Sequence, residues 1–208
     1  MEQIKHNLKI LLLGITGVGK SSLGNFLLGQ RGLFKVYDTP YPGTKEIEKI
    51  ERNGLTIIDT PGFNSIEGEN KDIENFKNVM YYIKSLGELN GIIIVMNSHE
   101  NRISESIQTM LKMICNTFEY RYFNNISFVF TRFRSEREES EEIRKNKEEF
   151  IMQLKELIKK FYGQDELPGT LPYFFINSDL NEPDHVSLRA REKILHWVSC
   201  LKPLHIFK

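Results

Sequence analysis

The stretch that most restricts this chain is Gly14-Ile15-Thr16-Gly17-Val18-Gly19-Lys20-Ser21, which follows the almost wholly apolar run Leu8-Lys9-Ile10-Leu11-Leu12-Leu13. A short apolar run ended by glycine reads as a buried strand, and Lys20 to Leu28, closed by Gly29, reads as a helix. The Gly-x-x-x-x-Gly-Lys-Ser spacing between them has a physical basis. Glycines let consecutive backbone N–H groups turn inward around a phosphate, and the following helix points its positive end at the same place. On this reading Gly14, Thr16, Gly17, Val18, Gly19 and Ser22 surround the phosphates. Lys20 reaches the terminal phosphates as a catalytic group, and the Ser21 hydroxyl ligates Mg²⁺. The bland alternative is a tight glycine turn with an exposed lysine, and the position between strand and helix argues against it.

Residues 46 to 52 and 55 to 59 flank Asn53-Gly54, the strongest hairpin signal in the chain, so these two strands are expected to be antiparallel. Thereafter the pattern alternates. Helices are expected over about 71–85, 104–118, 138–162 and 187–201, and strands over 91–96, 126–130 and 173–176. Continuous apolar strands between helices predict an α/β three-layer sandwich built on a mostly parallel six-stranded sheet with one antiparallel strand. Ile107, Met110, Leu111 and Ile114 recur at helical spacing, as do Phe150, Leu154 and Ile158, and both stripes read as core. The charge-dense stretch from Arg132 to Glu149 reads as a solvated loop and helix face. A length of 208 residues suits one domain, expected over residues 8–202 with 1–7 and 203–208 as short tails.

Lys plus Arg and Asp plus Glu number 28 each, so no overall field draws the chain to nucleic acid or to an anionic membrane. Cys115 and Cys200 sit in apolar helical patterns without metal spacing and read as buried thiols in a reducing compartment. No signal-peptide run, prenylation box or stretch near ~20 apolar residues stands in the sequence, so the expected address is cytoplasmic, with membrane contact only through partners.

A second chemical element, Asp59-Thr60-Pro61-Gly62, ends the second hairpin strand. Mg²⁺ keeps several waters and takes few protein ligands, so Asp59 is expected to hold a metal-bound water. The Gly62 N–H would bind the last phosphate only while that phosphate is present, which makes a switch. Between the two elements, Thr39-Pro40-Tyr41-Pro42-Gly43-Thr44 is a loop by its Pro and Gly content. Thr44, immediately before the hairpin, is placed as a third metal and catalytic group, with Thr39 as the alternative.

Together, Gly14 to Ser21, Ser22-Leu23-Gly24-Asn25, Leu28-Gly29 and Asp59-Thr60-Pro61-Gly62-Phe63 resemble the immunity-associated, septin-related P-loop GTPases, called the AIG, IAN or GIMAP family. The resemblance covers about residues 8 to 200 and is strongest at the amino end. It implies a Ras-like G domain, Mg²⁺ as cofactor, GTP and GDP as ligands and a nucleotide-dependent homodimer. It also implies that Arg102, in the segment Asn97 to Glu105, assists hydrolysis across that dimer. A cation on the transferring phosphoryl group can speed such reactions by about 10³- to 10⁵-fold. The alternative is a solvated arginine beside Ser104, an expected helix N-cap. His99 reads as bystander polarity. Ras-like enzymes orient the attacking water with a glutamine after the switch glycine, and Phe63 cannot do this. Slow intrinsic hydrolysis is therefore expected.

Guanine selectivity in this superfamily resembles a strand-end [Asn/Thr]-[Lys/Arg]-x-Asp. Thr131 and Arg132 fit it, but Arg134 stands in the aspartate's place and cannot accept a hydrogen bond. Glu136 or Glu138 could substitute, or Arg132 and Phe133 could stack on the base. Asn177, after the last strand, matches a base-contacting asparagine of the family. Three functions remain: a slow, dimer-stimulated GTPase switch, a nucleotide-gated assembly scaffold, and a P-loop ATPase or kinase.

Overall fold

A computed structural model describes residues 7–36, 46–63, 69–133, 141–167 and 169–205. Strand β1 (Leu8–Leu13) lies between parallel partners on both sides, β3 (Leu55–Asp59) and β4 (Gly91–Asn97). Covered on both faces as well, it has to be apolar at nearly every position. Ile10 and Leu12 meet one core, and Leu11 and Leu13 meet the other. The sheet continues through β5 (Ile126–Thr131) and β6 (Tyr173–Ile176), both parallel, and ends on the other side at antiparallel β2 (Glu48–Arg52), in the order β2-β3-β1-β4-β5-β6. This is the expected six-stranded sheet with a single antiparallel strand. At the β2–β3 turn Asn53 and Gly54 both have positive φ, 52° and 77°, as a two-residue type I′ hairpin requires.

The helices divide between the faces. Helix α1 (Lys20–Leu28) and α5 (His185–Ser199) cover one face with Leu23, Phe26, Leu27, Ile194 and Val198. Helices α2 (Glu69–Leu86), α3 (Glu105–Thr117) and α4 (Glu141–Tyr162) cover the other, and both stripes expected as core lie there. Each fully buried leucine, isoleucine or phenylalanine contributes about 1.5–3 kcal/mol, so the sheet's carboxyl rim is a rigid base for loops. Ser104 caps α3 by accepting from the Ile107 N–H at 3.3 Å, as expected.

Three expectations need correction. Lys147, read as part of a solvated face, is only 6% exposed, because its ammonium reaches a neighbouring loop. Cys200 is exposed, whereas Cys115 is buried and its thiol is pushed up to about 12 by desolvation. Leu204, placed in a tail, is 1% exposed and pairs with Leu89 beyond the end of α5.

Candidate functional site

The segment from Gly14 to Gly19 leaves β1 at the carboxyl rim and enters α1. Gly17 and Gly19 have φ of 81° and 90°, which only glycine adopts at little cost. Gly14 is needed for a different reason: a Cβ there would stand 2.5 Å from the Val95 carbonyl oxygen. Gly19 is the residue before the helix, and the amides of a helix's first turn point toward an anion placed at that end.

The Lys20 ammonium donates to the Gly14 and Ile15 carbonyls, each at 3.1 Å, and so folds back over the loop. Burial lowers its pKa to about 8, although the Asp59 charge pulls it upward. The Ser21 hydroxyl donates to Asp59 Oδ2 at 2.6 Å, and the Thr60 N–H donates to Asp59 Oδ1 at 3.0 Å. Asp59 is 1% exposed. A hydroxyl and a carboxylate in contact beside a phosphate loop are the hard oxygen donors that Mg²⁺ selects, and their small number suits an ion that keeps its waters. The residues present thus fit Mg²⁺. Among the described residues no group of three or more His, Cys, Asp or Glu has metal-binding geometry.

The segment after Asp59 lies on the phosphate loop. The Thr16 N–H donates to the Phe63 carbonyl at 2.8 Å, and the Phe63 N–H donates to the Gly14 carbonyl at 3.2 Å. The Thr16 hydroxyl donates to the same Phe63 oxygen at 3.1 Å. A Cβ on Gly62 would fall 2.5 Å from Thr16 Cα, so Gly62 permits this approach. The Phe63 ring is buried, its centroid 5.8 Å from that of Phe76. This pairing escaped the sequence reading, which took Phe63 as part of the family segment and as a lost glutamine.

On the other side, Thr131 ends β5 fully buried, its hydroxyl 2.5 Å from the Val18 carbonyl and 3.1 Å from the Met96 carbonyl. It therefore braces the phosphate loop from beneath. Arg132 Nη2 donates to the Gly17 carbonyl at 2.7 Å, from a backbone at φ 60°. Asn177 follows β6, and its backbone N–H donates to the Ser187 hydroxyl at 2.7 Å. With Ser22, Arg31, Lys35, Ser178 and Asp179 it lines a cavity of about 770 Å³ beside α1. A second cavity, about 760 Å³, lies at the far end of α1, where Arg52 and Arg191 donate to its last carbonyls. That is a helix-end contact remote from the phosphate loop.

Arg102 is exposed in the loop after β4. Thr39, Thr44, Arg134, Glu136 and Glu138 lie outside the described residues. Among the described residues no helix is long and apolar enough to cross a membrane.

A mostly parallel α/β sheet with a glycine loop, a lysine and a Ser–Asp pair at its carboxyl rim defines a P-loop nucleotide-binding domain of the Ras-like kind. The chain belongs to the AIG1 family, whose model matches residues 8–164. It is 28% identical over 131 residues to GTPase IMAP family member 8 of Mus musculus, covering 62% of this chain and 19% of that protein. It is 30% identical over 106 residues to GTPase Der of Saccharophagus degradans, covering 50% of this chain and 22% of that one. The matched region thus spans about a fifth of the length of these curated relatives. Among solved structures, Toc33 from Arabidopsis thaliana with Mg²⁺ and GMPPNP superimposes with a TM-score of 0.69 at 18% identity, covering 96% of this chain and 88% of that chain. A structure of the chloroplast translocon components atToc33 and psToc159, for whose GTPase activity dimerisation is important, gives a TM-score of 0.73 at 16% identity over 97% and 86% of the chains. At these identities the structures speak for the fold.

Proposed function

We propose that this chain is a GTP-binding switch whose hydrolysis is slow alone and faster when two copies meet through their nucleotide faces. The observation that carries the reading is the buried constellation of Lys20, Ser21 and Asp59 at the start of α1. Lys20 and the first-turn amides would hold the phosphates, and Ser21, with Asp59 behind a water and Thr44 from the loop before β2, would hold Mg²⁺. The metal would neutralise charge building on the phosphate oxygens. Gly62 and Phe63, laid against Gly14 and Thr16, are where the terminal phosphate would be sensed. Thr131 and Arg132 brace the loop, and Arg132 and Asn177 would contact the base.

Slow intrinsic hydrolysis follows from Phe63, whose ring sits in the core. Arg102, exposed on the same rim, is proposed to act in the partner copy's site, and the dimerisation-dependent activity of the translocon GTPases supports that assignment. The proposed compartment is the cytoplasm.

Two measurements test the reading. In calorimetric titration with Mg²⁺ present, GDP should bind tighter than ADP, and the reverse order would make this a P-loop ATPase or kinase. In single-turnover hydrolysis, the rate should climb with protein concentration and fall in Arg102→Ala. A flat, negligible rate would instead favour a nucleotide-gated assembly scaffold, a reading to which the buried Phe63 lends weight.

A further inference from the structure

Lys147 is a buried cation on α4 whose surroundings point away from its own helix. Its Nζ donates to the Glu100 carbonyl at 2.8 Å and to Asn101 Oδ1 at 3.0 Å, and it stands 6.0 Å from the Phe150 ring centroid. Bringing an ammonium out of water costs several kcal/mol unless hydrogen bonds compensate it. Glu100 and Asn101 immediately precede Arg102.

The loop is pinned on both sides of that arginine. Upstream, the Ser98 N–H donates to the Thr131 carbonyl at 2.9 Å and the Glu100 N–H to the Asn97 carbonyl at 3.0 Å. The His99 N–H donates to Asn97 Oδ1 at 3.1 Å. Downstream, Ile103 packs on the core and Ser104 caps α3. The Arg102 side chain extends from this frame into solvent. A long cation on a fixed base loses less freedom on reaching a partner than one on a loose loop.

We infer that Lys147 is a positioning residue for Arg102, locking the loop after β4 in the form that presents the guanidinium to a second copy of the chain. The inference rests on the dimer reading above for its consequence in rate, and on the contacts of Lys147 alone for its consequence in loop order.

The test uses Lys147→Met, which keeps the stem and removes the charge and donors, and Asn101→Ala, a change at an exposed residue that removes one acceptor. Amide hydrogen exchange should rise about tenfold or more across residues 98–104 in Lys147→Met, and less in Asn101→Ala, with the amides of residues 14–22 unchanged. Single-turnover GTP hydrolysis at high protein concentration should fall about tenfold in Lys147→Met, within the loss that a 1 Å misplacement produces. Adding Arg102→Ala to Lys147→Met should cost little more, because the two act as a unit. Unchanged exchange over 98–104 overturns the inference whatever the hydrolysis does. A hydrolysis loss fully additive with that of Arg102→Ala overturns it too. If wild-type hydrolysis does not depend on concentration while exchange rises as stated, the dimer reading fails and the loop-locking role stands.

Discussion

The Ser21 hydroxyl lies 2.6 Å from Asp59 Oδ2, joining the start of α1 to the end of β3 across 38 residues. Both oxygens are hard donors, and the contact sets them at one edge of the phosphate loop. In this arrangement Ser21 would turn its lone pair to Mg²⁺ when the metal binds, and Asp59 would accept from a coordinated water. Calorimetric titration of GDP should show Mg²⁺ tightening binding by at least tenfold in the wild type, about 1.4 kcal/mol. Ser21→Ala should erase most of that difference and leave metal-free binding nearly intact. Equal tightening in the variant would place the metal elsewhere.

Lys20 gives a pH dependence of two signs. Its folded pKa of about 8 lies below the ordinary 10.5, so between these values the unfolded chain binds more protons than the folded one. Stability of the ligand-free protein should therefore rise with pH through that window. Nucleotide affinity should do the opposite, because a neutral amine loses its attraction for phosphate. Thermal melting and GDP titration from pH 7 to 10 should diverge in this way. In Lys20→Met both slopes should flatten, with a higher melting temperature and little nucleotide binding.

Much of this frame was legible because its signals are local. The apolar run before Gly14, the Asn53-Gly54 turn and the Ser104 cap each act through neighbours within a few residues, and their elements fall within about three residues of expectation. What stayed hidden depends on distant partners. Nothing near Phe63 announces that its backbone will pair with Gly14 and Thr16. Lys147 stands beside Lys145, Glu148 and Glu149, which are exposed, and its burial goes with distant contacts, the Glu100 carbonyl 47 residues away and Asn101 Oδ1. Thr131 was expected as a motif residue, but its bond to the Val18 carbonyl depends on how β5 meets the phosphate loop.

The pair Gly24-Asn25, noted for its resemblance to a family signature, turns out to be a clamp. Asn25 Nδ2 donates to the Phe34 carbonyl at 2.9 Å, and the Phe34 N–H donates to Asn25 Oδ1 at 2.8 Å. A Cβ on Gly24 would meet the Phe34 ring at 2.8 Å. The clamp fixes residues 31–36, which wall the cavity beside Asn177. Asn25→Ala leaves two buried backbone groups without partners and should cost about 2 kcal/mol in denaturant unfolding. It should also speed release of a fluorescent GDP analogue by about tenfold, the rate equivalent of 1.4 kcal/mol. Unchanged release with lowered stability would show that the clamp serves the fold alone.

Arg132 combines a cost and a gain that substitution can separate. Its φ of 60° places a side-chain residue in the left-handed region, a cost of roughly 1–2 kcal/mol that glycine avoids. Its guanidinium meanwhile donates to the Gly17 carbonyl at 2.7 Å, which helps keep the crest of the phosphate loop turned. Arg132→Gly should leave the melting temperature level or higher, since relieved strain offsets the lost hydrogen bond. GDP affinity should nonetheless fall about tenfold, a loss of about 1.4 kcal/mol. Arg132→Ala keeps the strain and loses the guanidinium, so it should match the glycine variant in affinity and fall below it in stability. If the two variants melt together, the left-handed backbone carries no cost. If either keeps wild-type affinity, the guanidinium plays no part in holding the nucleotide.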